Sequence, residues 1–249
     1  MEQIFGFVLP VYRHCTALAE VIKELEDYDF PIIVVDDGNN EKDKTLIKKA
    51  VESTKNAILV TREKNGGKGA AVTSGILKAA ELGFTHVFQL DSDGQHDTSK
   101  IPRFLELSRQ NPDSVICGCP EYDENAPQNR VKGRDLANIW IHIVTLSKSI
   151  KDAMVGFRVY PVRPAEEILK RTLYIDGRMG FDIEILVRLF WKNVRIISEP
   201  VKISYPKDGI SNFRMFRDNV RISTTYARLF LGMLPRIPIL VFNTLKRKS

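Results

Sequence analysis

The sequence predicts an α/β protein built on a mainly parallel sheet, and three observations carry that expectation. Short β-branched runs alternate with helical patterns along the first half of the chain, the rhythm of βαβ units. Two of those runs close on acids and a glycine, "VVDDG" (34–38) and "QLDSDG" (89–94), where parallel sheets keep their ligands. No linker and no internal repeat divides the 249 residues, enough for one sizeable domain with an appendage.

The elements follow in order. Ile4 to Leu9 reads as a strand, and Thr16 to Glu26 as a helix with Leu18, Val21, Ile22 and Leu25 on one face. "PIIVVDDG" (31–38) is a buried strand, Lys42 to Ser53 a helix, and "AILVT" (57–61) a third strand. "NGGKGAAVTSGILKAAEL" (65–82) is a Gly-rich turn opening a helix. "HVFQL" (86–90) is a fourth strand, Ser99 to Gln110 a helix capped by Asp97, and "SVICG" (114–118) a fifth strand. A polar loop then leads into a helix through "LANIWIHIVTLS". "VGFRVY" is strand-like, 181–193 a helix, and "VRIISEPVKISYP" one or two strands. From Arg214 the chain is helical and basic.

Composition excludes several classes. Only three cysteines are present, Cys15, Cys117 and Cys119, too few and too poorly spaced for a disulfide framework or a zinc site. Met1 leads straight into a strand with no basic n-region, so a cytoplasmic location is expected. The net charge of +6 belongs to the tail, where eight basic residues from Arg214 onward face Asp218 alone. A nucleic-acid protein carries its basic footprint on the folded body, so a membrane surface is the expected partner and nucleic acid is not.

Two phosphate motifs are absent: "NGGKGAAVTSG" has neither the P-loop spacing nor the dinucleotide fingerprint. It does set flexible backbone and Lys68 at a helix start, which suits an anion. "DSDGQHD" (91–97) supplies Asp91, Asp93 and the Gln95 amide, a partial oxygen shell for Mg²⁺ or Mn²⁺ that water and phosphate complete. His96 is either a further ligand or a hydrogen-bonding loop residue.

In order, the chain carries "LPVYRH" (9–14), "VVDDG", "NGGKGAA" (65–71), "QLDSDGQHD", "DAMVGFRVY" (152–160) and "FDIEILVR" (181–188). This series resembles the family 2 glycosyltransferases of GT-A fold, nearest to the polyprenyl-phosphate branch typified by dolichol-phosphate mannose synthases. The resemblance spans about residues 4 to 212. It implies that Pro10 and Tyr12 border the nucleotide of a sugar donor, with Asp36 and Asp37 near its base and ribose. Lys68 and Gly69 face the donor side of the cleft, and Asp91, Asp93 and Gln95 hold Mg²⁺ or Mn²⁺ on the diphosphate. Arg130 and Arg134 bind donor or acceptor phosphate. Asp152 and Arg158 frame the Asp-x-x-x-Gly-Phe-Arg motif at the reacting centre, and Asp182 and Glu184 sit where relatives keep a base. Ser211 and Arg214 resemble a loop that closes over the donor phosphates.

The chain departs from the family where Arg13-His14 replaces Asn-Glu, where Asn39-Asn40 follows "DDG", and where "GCPEY" replaces Gly-x-Arg. These changes bear on nucleotide and acceptor more than on reaction class. The expected reaction is inverting transfer of a sugar from a GDP- or UDP-linked donor. A polyprenyl-phosphate acceptor needs no base, whereas a hydroxyl on a lipid or glycan needs one from Asp152 or Asp182. A nucleotidyltransferase is the rival class, disfavoured because "LPVYRHC" has no glycine. The expected organisation is a catalytic domain over 1–212 and a basic amphipathic tail over 213–249. Pro235, Arg236 and Pro238 interrupt the apolar run from Leu229 to Phe242, too short to span where about 20 apolar residues are needed. The tail is therefore expected to lie peripherally on the inner membrane face, or else to pack on the domain's own core.

Overall fold

A computed structural model, which describes residues 2–13, 15–94, 96–121, 128–202 and 215–246, places seven strands in one sheet. The strands are β1 (Phe5–Val11), β2 (Ile32–Asp36), β3 (Ala57–Thr61), β4 (His86–Gln89), β5 (Ser114–Glu121), β6 (Arg158–Pro161) and β7 (Arg195–Lys202). Their order is β3-β2-β1-β4-β6-β5-β7. β1 pairs in parallel with β2 and β4, β2 with β3, and β5 with β7; β6 alone runs antiparallel, between β4 and β5. The expected α/β fold with a mainly parallel sheet is therefore present.

Helices cover both faces, which is why β1 and β2 are buried along their whole length. Phe7, Leu9, Val34 and Phe88 pack beneath α1 (Cys15–Glu26), α2 (Glu41–Glu52) and α4 (Ile101–Gln110). Their neighbours Val8, Ile33, Val35 and Val87 point the other way, to α3 (Lys68–Glu81), α5 (Gln128–Thr145), α6 (Val162–Arg171) and α7 (Phe181–Trp191). Helix α6 is an element the sequence reading leaves unassigned; Pro164 sits in its first turn, where a missing N–H costs nothing. Asp97 caps the short 3-10 turn before α4, accepting from Ser99 N at 3.2 Å.

The tail forms α8 (Met215–Met233) and α9 (Ile237–Lys246), joined by a 3-10 turn at Leu234–Arg236. Pro235 and Pro238 do not break it, because each falls in a first turn. Among the described residues one helix, Arg217–Leu245, is long and apolar enough to cross a membrane by length and composition. One stripe of it is nevertheless core: Tyr226, Leu229, Met233 and Leu240 join the cluster beneath α5 and α7. Tyr226 stacks on Trp140 and donates to the Ala137 carbonyl. The opposite stripe leaves Leu231, Ile239, Phe242 and Leu245 exposed, and Leu136, Ile139 and Trp140 of α5 are exposed as well.

Candidate active site

The chain runs outward from β1 through β2 to β3, then returns to place β4 on the other side of β1. That reversal opens a crevice at the carboxyl ends of β1 and β4, where open sheets hold ligands. Pro10 and Tyr12 stand at the end of β1, and Ser92 Oγ donates to the Pro10 carbonyl at 3.0 Å, tying the two strand ends together. Asp91 follows β4 directly, half-buried, and Asp93 lies in the turn after it.

Lys68, the first residue of α3, reaches across to Asp91 with Nζ 2.7 Å from Oδ1 and 2.9 Å from Oδ2. His96 Nε2 lies 3.2 Å from Asp91 Oδ2. Burial by itself raises a carboxyl pKa, but Lys68 and His96 outweigh it and hold Asp91 well below the usual carboxylate range. Burial likewise opposes the Lys68 charge, and Asp182 and Asp91 more than reverse that, holding the ammonium above its ordinary value.

Beneath this pair lies a buried polar layer. β6 runs antiparallel to β4, so its first residue, Arg158, lies opposite Gln89, the last residue of β4. Gln89 Nε2 donates to Asp182 Oδ1 at 3.0 Å. Arg158, fully buried, donates to the Asp182 carbonyl at 2.6 Å and to Tyr160 Oη at 3.2 Å. Its Nε and Nη2, and Gln89 Oε1, have no hydrogen-bond partner among the described residues. Burial opposes the Arg158 charge, yet Cys117, Tyr160 and Asp182 keep its pKa raised, while burial drives the Cys117 thiol up to about 11. Asp182 is thus fixed from two sides and offers Oδ2 to Lys68 Nζ at 3.4 Å.

Asp152 is fixed as firmly. Its Oδ1 accepts from Met154 N and Val155 N at 2.8 and 3.0 Å, and its Oδ2 accepts from Arg134 at 3.0 Å. The two acids at the end of β2 also turn inward. Asp36 Oδ1 accepts from the backbone and side-chain amides of Asn39. Asp37 accepts from Arg62 Nε, Asn65 Nδ2, Gly66 N and Gly67 N, so one carboxylate shapes the whole Gly-rich turn that aims Lys68. Gly67 takes φ +95°, where a side chain would strain the backbone. Gly69 meets Phe181 of α7: a Cβ there would collide with the Phe181 side chain.

The structure therefore brings Lys68, Asp91, Asp182 and Arg158 into one polar cluster, with Pro10, Tyr12 and Asp93 at the neighbouring strand ends and Arg134 and Asp152 joined to each other. Arg130 falls on α5 with its side chain outside the described residues, as Gln95, Ser211 and Arg214 lie wholly outside them. Gln89 and Arg62 are site residues that the sequence reading does not single out, and Asn39 enters it only as a departure from the family after "DDG". Gln89 carried a signal, a polar residue between the apolar Val87-Phe88 and Leu90. Among the described residues no three His, Cys, Asp or Glu side chains converge on one metal-sized point. A closed protein cage is therefore not the fit, but Asp91 and Asp93 suit a hard cation that takes few protein oxygens and completes its shell from phosphate and water.

An open α/β sheet with paired acids and a helix-borne lysine at its switch point is the frame of an enzyme that handles a phosphorylated ligand. The chain belongs to glycosyl transferase family 2, which matches residues 7–169. It is 27% identical to a dolichyl-phosphate beta-glucosyltransferase of Dictyostelium discoideum, over 88% of this chain and 73% of that one. It is 22% identical to a UDP-N-acetylglucosamine–dolichyl-phosphate N-acetylglucosaminyltransferase of Methanococcus voltae, over 64% and 70%. The solved glucosyl-3-phosphoglycerate synthase of Mycobacterium tuberculosis, in complex with Mn²⁺, UDP and glucosyl-3-phosphoglycerate, matches with a TM-score of 0.65. That match is 14% identical and covers 94% of this chain and 80% of that one, and it speaks for the GT-A fold alone. The protein is a glycosyltransferase.

Proposed function

We propose that the protein moves a sugar from a UDP- or GDP-linked donor to a polyprenyl phosphate at the inner face of a membrane, with inversion and with Mg²⁺ or Mn²⁺. One observation carries the choice of acceptor: neither candidate base is free. Asp152 is taken up by Arg134 and two backbone amides, and Asp182 by Gln89 and Lys68. A hydroxyl acceptor needs a carboxylate able to turn and take a proton, whereas a phosphate arrives already anionic. The names of the relatives, two of which state a dolichyl-phosphate acceptor, support the same reading.

A divalent cation held by Asp91 and Asp93 would neutralise charge on the departing nucleoside diphosphate. The chain's own residues do the rest. Pro10 and Tyr12 flank the nucleotide, and Lys68 and Arg134 face its phosphates or those of the acceptor. Asp36 and Asp37 hold the loops around the nucleotide, and Gly69 lets α3 close on α7. The acceptor oxyanion forms its bond to the anomeric carbon on the face opposite the diphosphate as the carbon–diphosphate bond breaks. Gln95, Arg130, Ser211 and Arg214 belong to this reading through the family resemblance alone.

Paired acceptors test it. Polyprenyl phosphate is expected to receive labelled sugar, and the corresponding polyprenol is not; equal transfer to both would reinstate a base and overturn the assignment.

The membrane part of the proposal rests on the exposed apolar side chains of α5, α8 and α9 and on Arg217, Arg221 and Arg236 in the same tail. Tyr226, Leu229 and Met233 of α8 and Leu240 of α9 join the core, which supports helices that lie along the domain. Deleting the tail would therefore break the core, and point substitutions are the sounder probe. Ile139→Glu with Phe242→Glu is expected to weaken sedimentation with anionic vesicles about a hundredfold, the loss of two large apolar anchors. Unchanged sedimentation would place the contact elsewhere.

A further inference from the structure

Lys68 stands where a cation belongs. Its Nζ bridges both oxygens of Asp91, at 2.7 and 2.9 Å, and so blocks any approach to the two together. Gly156 lies close against the pair: a Cβ there would collide with Lys68 Nζ and lie 3.2 Å from Asp91 Oδ2. The ammonium is thereby pressed between backbone and carboxylate. Its second partner, Asp182 Oδ2 at 3.4 Å, cannot swing away, because Gln89 holds Oδ1 and Arg158 holds the Asp182 carbonyl.

We infer that Lys68 is a built-in stand-in for the divalent cation at Asp91, and that Asp182 is the positioning residue that keeps the displaced ammonium beside the site. This rests on the metal reading above. A buried carboxylate without a counter-ion is costly, and Lys68 supplies one while the crevice holds no ligand. A cation arriving alone must take Asp91 from the ammonium and leave Lys68 with Asp182 only. A cation arriving with a nucleoside diphosphate brings anionic oxygens that Lys68 can meet. Metal and nucleotide thus strengthen each other's binding, and by linkage they do so by the same factor. Asp182 then serves the reaction through Lys68 and takes no proton itself.

The test reads Mn²⁺ binding directly, through the spectroscopic signal of the free ion, on the full chain with and without UDP or GDP. Wild type is expected to bind Mn²⁺ weakly alone and more tightly with nucleotide. Lys68→Met is expected to bind Mn²⁺ alone about tenfold more tightly than wild type, with the nucleotide enhancement reduced to what direct metal–phosphate contact supplies. Asp182→Asn, which keeps an acceptor for Gln89 but leaves Lys68 wholly to Asp91, is expected to bind Mn²⁺ several-fold more weakly in either condition. Should Lys68→Met not fold, Asp182→Asn decides by itself. Nucleotide-dependent Mn²⁺ binding in wild type, with variants indistinguishable from it, overturns the stand-in role alone. No Mn²⁺ binding with either nucleotide overturns the metal reading and this inference together.

Discussion

Replacing Asp91 with asparagine is expected to slow sugar transfer by about a thousandfold, the scale on which a preorganised charge at a reacting phosphate acts. Asparagine keeps the shape and one acceptor for Lys68, so the strand end and the turn tied to Pro10 should survive. What is lost is the formal charge of a carboxylate that Lys68 and His96 hold well below the usual carboxylate range. The measurement is the initial rate at saturating donor, repeated while Mn²⁺ is raised. A pure loss of metal affinity would be recovered at high Mn²⁺; a deficit that persists shows that the charge acts in the transition state as well. Asp97→Asn is the matched control, because Asp97 only caps the turn before α4 and asparagine caps as well. Its rate should stay within about twofold of wild type, in the range of ordinary surface substitutions. Equal losses at both positions would mean that the loop's fold, and not the Asp91 charge, had been measured.

How much of this was legible in the sequence depends on which forces were local. Strands β1 to β5 follow from β-branched runs bounded by turn residues, and the structure moves their ends by only a few positions. The order of the strands was less accessible. Nothing in "GFRVY" says that β6 runs antiparallel and inserts between β4 and β5, yet that reversal brings Arg158 opposite Gln89. The same holds for the acids. "VVDDG" reads as a ligand-facing pair, but Asp37 spends both oxygens on the Gly-rich turn nearly thirty residues on, a contact that only tertiary structure creates. Lys68, Asp91 and Asp182 each draw notice as single residues in familiar motifs. Their convergence, with one ammonium between two carboxylates, is a property of α3, β4 and α7 meeting, and no spacing encodes it. The prolines of the tail read as breaks because the sequence does not mark where each turn begins, and both fall in first turns where a missing N–H is harmless.

Glu184 shows the same distinction at its largest energetic scale. The sequence places it two residues after Asp182, near a base of its relatives, but on a helix that spacing turns it well away from Asp182. In the structure it is fully buried, with Oε1 accepting from Arg188 Nε and Nη2 at 3.0 and 2.7 Å. Its Oε2 accepts from Arg228 of α8 at 2.5 Å and from Asp176 N at 2.9 Å. Asp176 in turn holds Arg178 N and Gly180 N, and the Gly177 carbonyl accepts from Ala70 N of α3 at 2.8 Å. One carboxylate therefore joins the tail helix to the loop that supports the start of α3. Glu184→Ala strands two guanidinium groups against a cavity, and the expected loss is about 3 kcal/mol, the lower end for a broken buried pair because both arginines retain some exposure. For a chain of this length that corresponds to a fall in Tm of roughly 10 °C. Glu184→Gln, which keeps the volume and part of the hydrogen bonding, should lose about half as much. Thermal unfolding of the two variants checks the order as well as the size. If alanine and glutamine lower Tm equally, the carboxylate charge and not the packed volume of Glu184 holds α8 to α7. A fall below about 2 °C for alanine would mean that solvent satisfies both arginines as well as Glu184 does, as at exposed pairs.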